Sequence, residues 1–259
     1  MVKSADRVME VLEWLAEIRR PVTHAQIAEQ LGIPGSSTSG LLADLVRRGY
    51  VVADEQRRYR VGPAVMRLAG AFLADLDLPR VVEPDVGALA SQAQESVGFA
   101  IRAGVEMLVL SRCNWPNQLT YMLQLGDRAP LATSASGRAF LAALPAEEWS
   151  TLPGTVADAV GQAVRCGIAF SWQELIVGIN TAAVAVLDAT GRPVGALSIS
   201  VPTPRYDPIA FRGHCTLLAA VAHRLSTRLG AANGVEVLLD QIVLEGETRP
   251  VRTRAGRRP

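Results

Sequence analysis

Apolar positions in the first fifth of the chain recur at helical spacing in three short runs. Val8, Val11, Leu12, Leu15 and Ile18 make the first, with Ser4 as expected N-cap and Arg19-Arg20-Pro21 closing it. Ile27, Ala28 and Leu31 make the second, capped by Thr23 and broken at Gly32. Leu41, Leu42, Leu45 and Val46 make the third, in a helix whose first turn takes Pro34. The period then changes. Val51-Val52 and Tyr59-Arg60-Val61 read as two short strands around the polar turn Ala53–Arg58. After Gly62-Pro63 a helical stripe returns, carried by Val65, Leu68, Ala69, Phe72, Leu73 and Leu76. The stretch 75–84, with two prolines, is expected to end it.

The remainder has a different rhythm. A helix is expected over 86–96, then strands over 99–102, 107–112 and 119–125. Helices are expected over 136–144 and 157–166, and strands over 181–187 and 194–201, joined by the turn Thr190-Gly191-Arg192-Pro193. A last helix runs from Pro208 to Leu229, with Leu217, Leu218, Val221, Ala222 and Leu225 on one side. The fold class is α+β: an antiparallel sheet with flanking helices behind a helical N-terminal domain. The expected division is 1–62, a linker helix over 63–78, a second domain over 79–230 and a disordered polar tail over 231–259. That tail holds Arg249, Arg252, Arg254, Arg257 and Arg258, either a nonspecific affinity for DNA or simply a solvated end.

Residues 23–48 have the length and break of a helix-turn-helix, a pattern that an ordinary αα-hairpin shares. The hairpin that follows favours the winged, DNA-binding form. Small hydroxyls at the N-terminal end of the second helix (Ser36, Ser37, Thr38, Ser39), with Thr23 and Arg47, are candidates to meet a major groove. Arg57, Arg58 and Arg60 on the hairpin are candidates for phosphate contacts. The stripe over 65–76 needs a partner, and a second copy suits a pair of groove-reading helices.

Composition changes this picture little. At 259 residues with 49% hydrophobic and 20% charged residues, the chain has room for two cores. A net charge of +1 gives no global basic signal, and residues 1–77 carry nine Arg and one Lys against five Asp and five Glu. DNA affinity must therefore come from local charge placement. Cys113, Cys166 and Cys215 show neither metal-ligand spacing nor a disulfide framework, which fits a reducing cytoplasm. Buried hydrophobes are the simpler reading of all three. His24, His214 and His223 are scattered. No apolar run reaches membrane-spanning length, and no cofactor or metal is expected.

Two features of the second domain carry candidate chemistry. On the last strand Ala196, Ser198 and Ser200 share one face, and Leu197, Ile199 and Val201 the other. The hydroxyls either line a cavity or face solvent. The segment Thr133–Gly137 leads into a helix start, where free N–H groups and the helix dipole favour an anion, although Ser134 or Ser136 would serve equally as an N-cap.

In ordered motifs the chain resembles the isocitrate lyase regulator (IclR) family of bacterial transcription factors. The resemblance covers about residues 4–230. It rests on Ser4-Ala-Asp-Arg-Val, Val11-Leu-Glu-Trp-Leu-Ala16, Ile27-Ala28-Glu29, Leu31-Gly-Ile-Pro34 and Leu41-Leu42 with Leu45. It continues through Gly49-Tyr50-Val51, Tyr59-Arg60-Val-Gly62, Pro130–Ala142, Arg165-Cys-Gly167, Glu174, Gly178, Asp188-Ala-Thr-Gly191 and Ala196–Ser200. The resemblance implies a winged helix-turn-helix, a linker helix and a GAF-like effector domain, assembled as dimers or tetramers on a pseudo-palindromic operator. Where members usually carry His-Arg before the recognition-helix Leu-Leu, this chain has Ser39-Gly40, and Arg138 stands for the usual Lys. Family effector positions carried across are Ala135 and Ser136 with the adjoining Gly137, Ser171, Thr181, Ser198 and Ser200. These describe an uncharged, hydroxylic pocket for a small carboxylate, aromatic or lactone-like metabolite. A hydrolase or transferase on the second domain is the competing reading, weakened by the absence of a G-x-S-x-G elbow. An architectural DNA binder without an effector is a third.

Overall fold

The computed structural model describes residues 3–74, 78–115, 123–150, 152–242 and 244–245. The chain divides into two compact units, Met1–Asp77 and Leu78–Pro259. Among the described residues no helix is long and apolar enough to cross a membrane.

The first unit contains α1 (Lys3–Ile18), β1 (Val22–Thr23), α2 (His24–Leu31), α3 (Gly35–Arg47), β2 (Val51–Ala53), β3 (Arg58–Val61) and α4 (Val65–Ala74). Val11, Leu15, Ile27, Leu42, Leu45 and Val51 bury together as its core. Ser4 lies inside α1, which begins at Lys3, so it is not the cap. Thr23 is a cap: its Oγ1 accepts from the Gln26 N–H, and the Gln26 side chain accepts from the Thr23 N–H at 2.9 Å. Gly32 ends α2 at φ 60°, a left-handed turn that suits glycine. Pro34 is the N-cap residue of α3 rather than its first helical residue. Val22–Thr23 adds a short strand to the hairpin, giving an antiparallel sheet ordered β1-β3-β2. That two-residue strand is too short to leave a period-2 signature.

The second unit contains α5 (Leu78–Ala93), β4 (Ser96–Ala103), β5 (Glu106–Cys113), β6 (Arg128–Pro130), α6 (Ala135–Ala142), α7 (Gly154–Cys166), β7 (Ala169–Trp172), β8 (Ile179–Leu187), β9 (Pro193–Pro202) and α8 (Pro208–Arg228). Its six strands form one antiparallel sheet ordered β6-β5-β4-β9-β8-β7. Helix α6 packs on β8 and β9, joining Ala183 and Ala196 to Ala135 and Ala139 in one buried cluster that also takes Val160 of α7. On the opposite face Leu197 and Ile199 are buried, and α5 and α8 pack on the sheet.

Three expectations need correction. The prolines do not keep the chain out of helix: α5 starts at Leu78, carries Pro79 in its first turn and contains Pro84. Pro84 forfeits one hydrogen bond, and the buried face of Val82, Val86, Leu89 and Ala90 outweighs it. Residues 123–125 are not a strand, and β6 at 128–130 supplies that sheet edge instead; 119–122 lie outside the described residues. Residues 231–242 and 244–245 are not a loose tail. Ile242 and Leu244 are buried, Leu238 donates to the Cys166 carbonyl at 2.9 Å, and Arg212 donates to the carbonyls of Leu239 and Ile242. Val235, Val237, Leu238 and Leu239 before them are half-buried. The five tail arginines lie outside the described residues.

Candidate functional site

In the first unit α3 turns two different stripes toward core and solvent. Thr38, Leu42 and Leu45 face inward, while Ser36, Gly40, Ala43 and Arg47 are exposed at i, i+4, i+7 and i+11. Thr38 is therefore removed from the groove-facing candidates: it is fully buried, with its hydroxyl at 3.2–3.3 Å from the carbonyls of Ile33 and Pro34. Val46, expected in the core, is instead 38% exposed, because the inward stripe begins one turn earlier. Ser37 is half-buried and Ser39 exposed. The Ser39 hydroxyl donates to the Gly35 carbonyl at 3.0 Å and accepts from His24 Nε2 at 3.0 Å. His24 thus braces the start of α3 from the first residue of α2, a role no spacing in the sequence indicated. A side chain at Gly40 would meet nothing within 4 Å.

The hairpin turn is organised by Asp54, which accepts the backbone N–H groups of Gln56 and Arg58. The same bonds, with the Arg58 guanidinium, hold its carboxyl below the ordinary aspartate range. Arg58 is tied to it at 2.8 Å, and Arg47 pairs with Asp44 at 2.7 Å, whereas Arg57 and Arg60 stand exposed. Both pairs are exposed enough to exchange for phosphate at little cost. Thr23, also exposed, has its hydroxyl engaged in the α2 cap.

In the second unit one cleft gathers six of the seven expected effector positions: Ala135, Ser136, Ser171, Thr181, Ser198 and Ser200. It lies between the sheet and the start of α6, with an empty volume of about 710 Å³ counting its open mouth. Gly137 is the seventh and does not line it. Its N–H is taken by the capping Ser134 Oγ at 3.0 Å, and a Cβ there would lie 2.4 Å from the Leu131 backbone, so this glycine serves close packing.

The cleft is not the uncharged, hydroxylic pocket expected. Met107, Val109, Leu123, Leu175 and Ile176 make much of its wall, and Arg112 enters it from β5. The hydroxyls are partly committed: Ser171 donates to the Thr133 carbonyl at 3.0 Å, Ser198 to the Gly98 carbonyl at 3.2 Å, and Thr181 and Ser200 bond each other at 3.0 Å. Ala135 and Ser136, the first two residues of α6, have N–H groups with no acceptor inside the helix.

Arg138 fastens two walls of this cleft. Its side chain is 7% exposed and donates to the Ala132 carbonyl at 2.8 Å, the Phe170 carbonyl at 3.0 Å and both carboxylate oxygens of Glu174. Hydrogen bonds from Arg138 and its charge hold the Glu174 carboxyl below the ordinary range, against partial burial. Among the described residues no group of His, Cys, Asp and Glu is arranged to hold a metal ion.

Two sequence profiles match the chain. One, described as the bacterial transcriptional regulator IclR C-terminal domain, covers residues 70–227, and the IclR helix-turn-helix domain covers 4–55. The repressor AllR of Klebsiella pneumoniae is 29% identical over 245 residues, 88% of this chain and 90% of that protein. The repressor IclR of Escherichia coli K12 is 26% identical over 223 residues, 79% and 81% of the two. The Thermotoga maritima IclR structure superposes with a TM-score of 0.74 at 20% identity, covering 89% of this chain and all of that one. An IclR homologue from Microbacterium hydrocarbonoxydans, solved with 4-hydroxybenzoate, gives 0.74 at 22% identity, covering 87% and 98%.

Proposed function

The chain belongs to the IclR family of bacterial transcriptional regulators, and from that premise we propose that it is a repressor whose operator affinity is set by a small carboxylate or aromatic effector. It is a DNA-binding regulator rather than an enzyme, as are its curated relatives. One observation carries the finer reading: a single chain holds both an exposed recognition helix with a basic hairpin and, in its other unit, a cleft lined by six of the expected effector positions. A ligand that binds one arrangement of the assembly better than another shifts the operator affinity by that difference alone. Ser36, Ser37, Ser39 and Arg47 are assigned to the groove, and Arg57, Arg58 and Arg60 to phosphates. Thr23 sets the start of the supporting helix. The ligand-bound neighbour makes 4-hydroxybenzoate a reasonable first compound to try.

The test begins by enriching a random duplex pool on the full-length protein. Arg57→Ala should weaken binding to every duplex and flatten the dependence on log salt by about 0.9 for each phosphate no longer neutralised. Ser36→Ala or Ser37→Ala should change the bases enriched. Unchanged salt slopes in Arg57→Ala combined with Arg60→Ala would remove the wing assignment. Footprints that never respond to any cleft-binding compound would favour a purely architectural DNA binder.

A further inference from the structure

We propose that Arg112, Gly98 and Ser198 form the seat for a carboxylate, and that the cleft selects monocarboxylates over both dicarboxylates and neutral analogues. This deepens the effector reading above and rests on it. The three residues are direct cross-strand partners, Arg112 opposite Gly98 and Gly98 opposite Ser198, in a row across β5, β4 and β9. Directly opposed residues share a face, and all three line the cleft. Among the described residues that do so, Arg112 carries the only charge. Its guanidinium is steadied by Asn114 Oδ1 and the Leu123 carbonyl, so its direction is fixed before a ligand arrives.

Gly98 is the telling member of the row. Its backbone is not among those with positive φ, and a Cβ there would sit 3.6 Å from Ser198 Oγ and 3.8 Å from the Ser111 carbonyl, ordinary contacts. The fold therefore has room for alanine. A glycine inside a strand weakens it, and often marks a place where something approaches the backbone closely. Between a fixed guanidinium and a hydroxyl, that something is an anion. The Ser198 bond to the Gly98 carbonyl is long at 3.2 Å, and a charged acceptor makes a stronger partner for the hydroxyl.

The next row explains why one charge suffices. Ser96, Ser200, Thr181 and Ser171 are successive partners across β4, β9, β8 and β7. This is a line of neutral hydroxyls, and Ser96 Oγ is buried without a hydrogen-bond partner. Of that row Ser200, Thr181 and Ser171 line the cleft, and with Ser134 and Ser136 at the start of α6 they offer polar contacts but no second cation, the rest of the wall being largely apolar. A second carboxylate would meet there only the partial charge of the α6 N–H groups, not a full counter-charge.

Calorimetric titration of the full-length protein with benzoate, benzamide and terephthalate tests the seat. These probes share a ring and carry one, zero and two charges. Benzoate should bind at least about tenfold tighter than either of the others, in line with the strength of hydrogen bonds to charged groups. Arg112→Met should bring benzoate to the benzamide level, and Arg112→Lys should restore part of the difference. Gly98→Ala should weaken benzoate several-fold without lowering the Tm, which keeps the test valid if the arginine variant folds poorly. If both variants bind benzoate normally while Ser136→Leu abolishes it, the seat is overturned and the effector cleft survives. Preference for benzamide or terephthalate, or no binding of either benzoate or butyrate, also overturns the proposal. In that last case DNA release by an uncharged compound would leave the effector reading standing.

Discussion

Arg138 holds three stretches of chain with one planar fork: the turn before α6, the edge strand β7 and Glu174. Removing Arg138 leaves the buried Phe170 carbonyl unmatched, while the partly exposed Glu174 carboxylate can turn to water. Arg138→Ala should therefore cost about 1–3 kcal/mol by chemical denaturation, most of it from the unmatched carbonyl rather than the screened ion pair. Arg138→Lys should cost less, keeping the charge but losing the fork. The pH dependence has a definite sign. Glu174 is depressed in the folded chain, so its contribution is complete above the ordinary glutamate range and fades as pH falls through the depressed value. Melting curves of wild type and Glu174→Gln should converge on acidification, and a gap that persists under full protonation would contradict the bridge. At this scale the sequence was legible where chemistry follows local pattern. Ser198 and Ser200 came from strand alternation, and Thr23 from its place before an apolar run. The family motifs located Ser171 and Thr181. Thr38 misled because its hydroxyl looks like its neighbours while the helix phase turns it inward. Arg112 and His24 were missed because cross-strand register and a contact eleven to fifteen residues away leave no local trace.

Among the elements, the strap over residues 231–245 departs furthest from expectation, and Gly167 shows how it is seated. This residue ends α7 at φ 72°, and a Cβ there would lie 1.9 Å from the Glu236 carbonyl oxygen. Both the left-handed backbone and the close approach demand glycine. Gly167→Ala should force the strap away from α7, costing about 1–3 kcal/mol and exposing Ile242 and Leu244. Limited proteolysis cutting between 231 and 245 in the variant but not in wild type would show it, and identical digestion patterns would count against the docking. Long elements were readable: α1 and α8 because each buries one face, β8 and β9 because both faces are buried and the strands read as nearly continuous apolar runs. Short or interrupted ones were not. β1, β6 and β7 span two to four residues, and α5 hides behind its prolines.

At the scale of the whole molecule, α4 leaves apolar surface bare: Met66 is 70% and Leu68 58% exposed in the single chain. We propose a second copy as the occupant, because twofold symmetry would present two groove-reading helices to successive major grooves. Leu68→Asp should then shift the sedimenting species toward monomer and weaken operator binding more than twofold, and an unchanged mass would leave α4 without that role. The central seam of the sheet has a consequence of another kind. Gly98 and Ser198 stand side by side on β4 and β9, yet a hundred residues of chain separate them. The hairpins β4–β5 and β8–β9 can each form locally, but joining them closes a very long loop, and such closures come late in folding. Neither hairpin alone contains both halves of the carboxylate seat. A refolding chain should acquire its helices and hairpins first and its affinity for a ligand only in its slowest phase, so that sensing begins when the last seam closes.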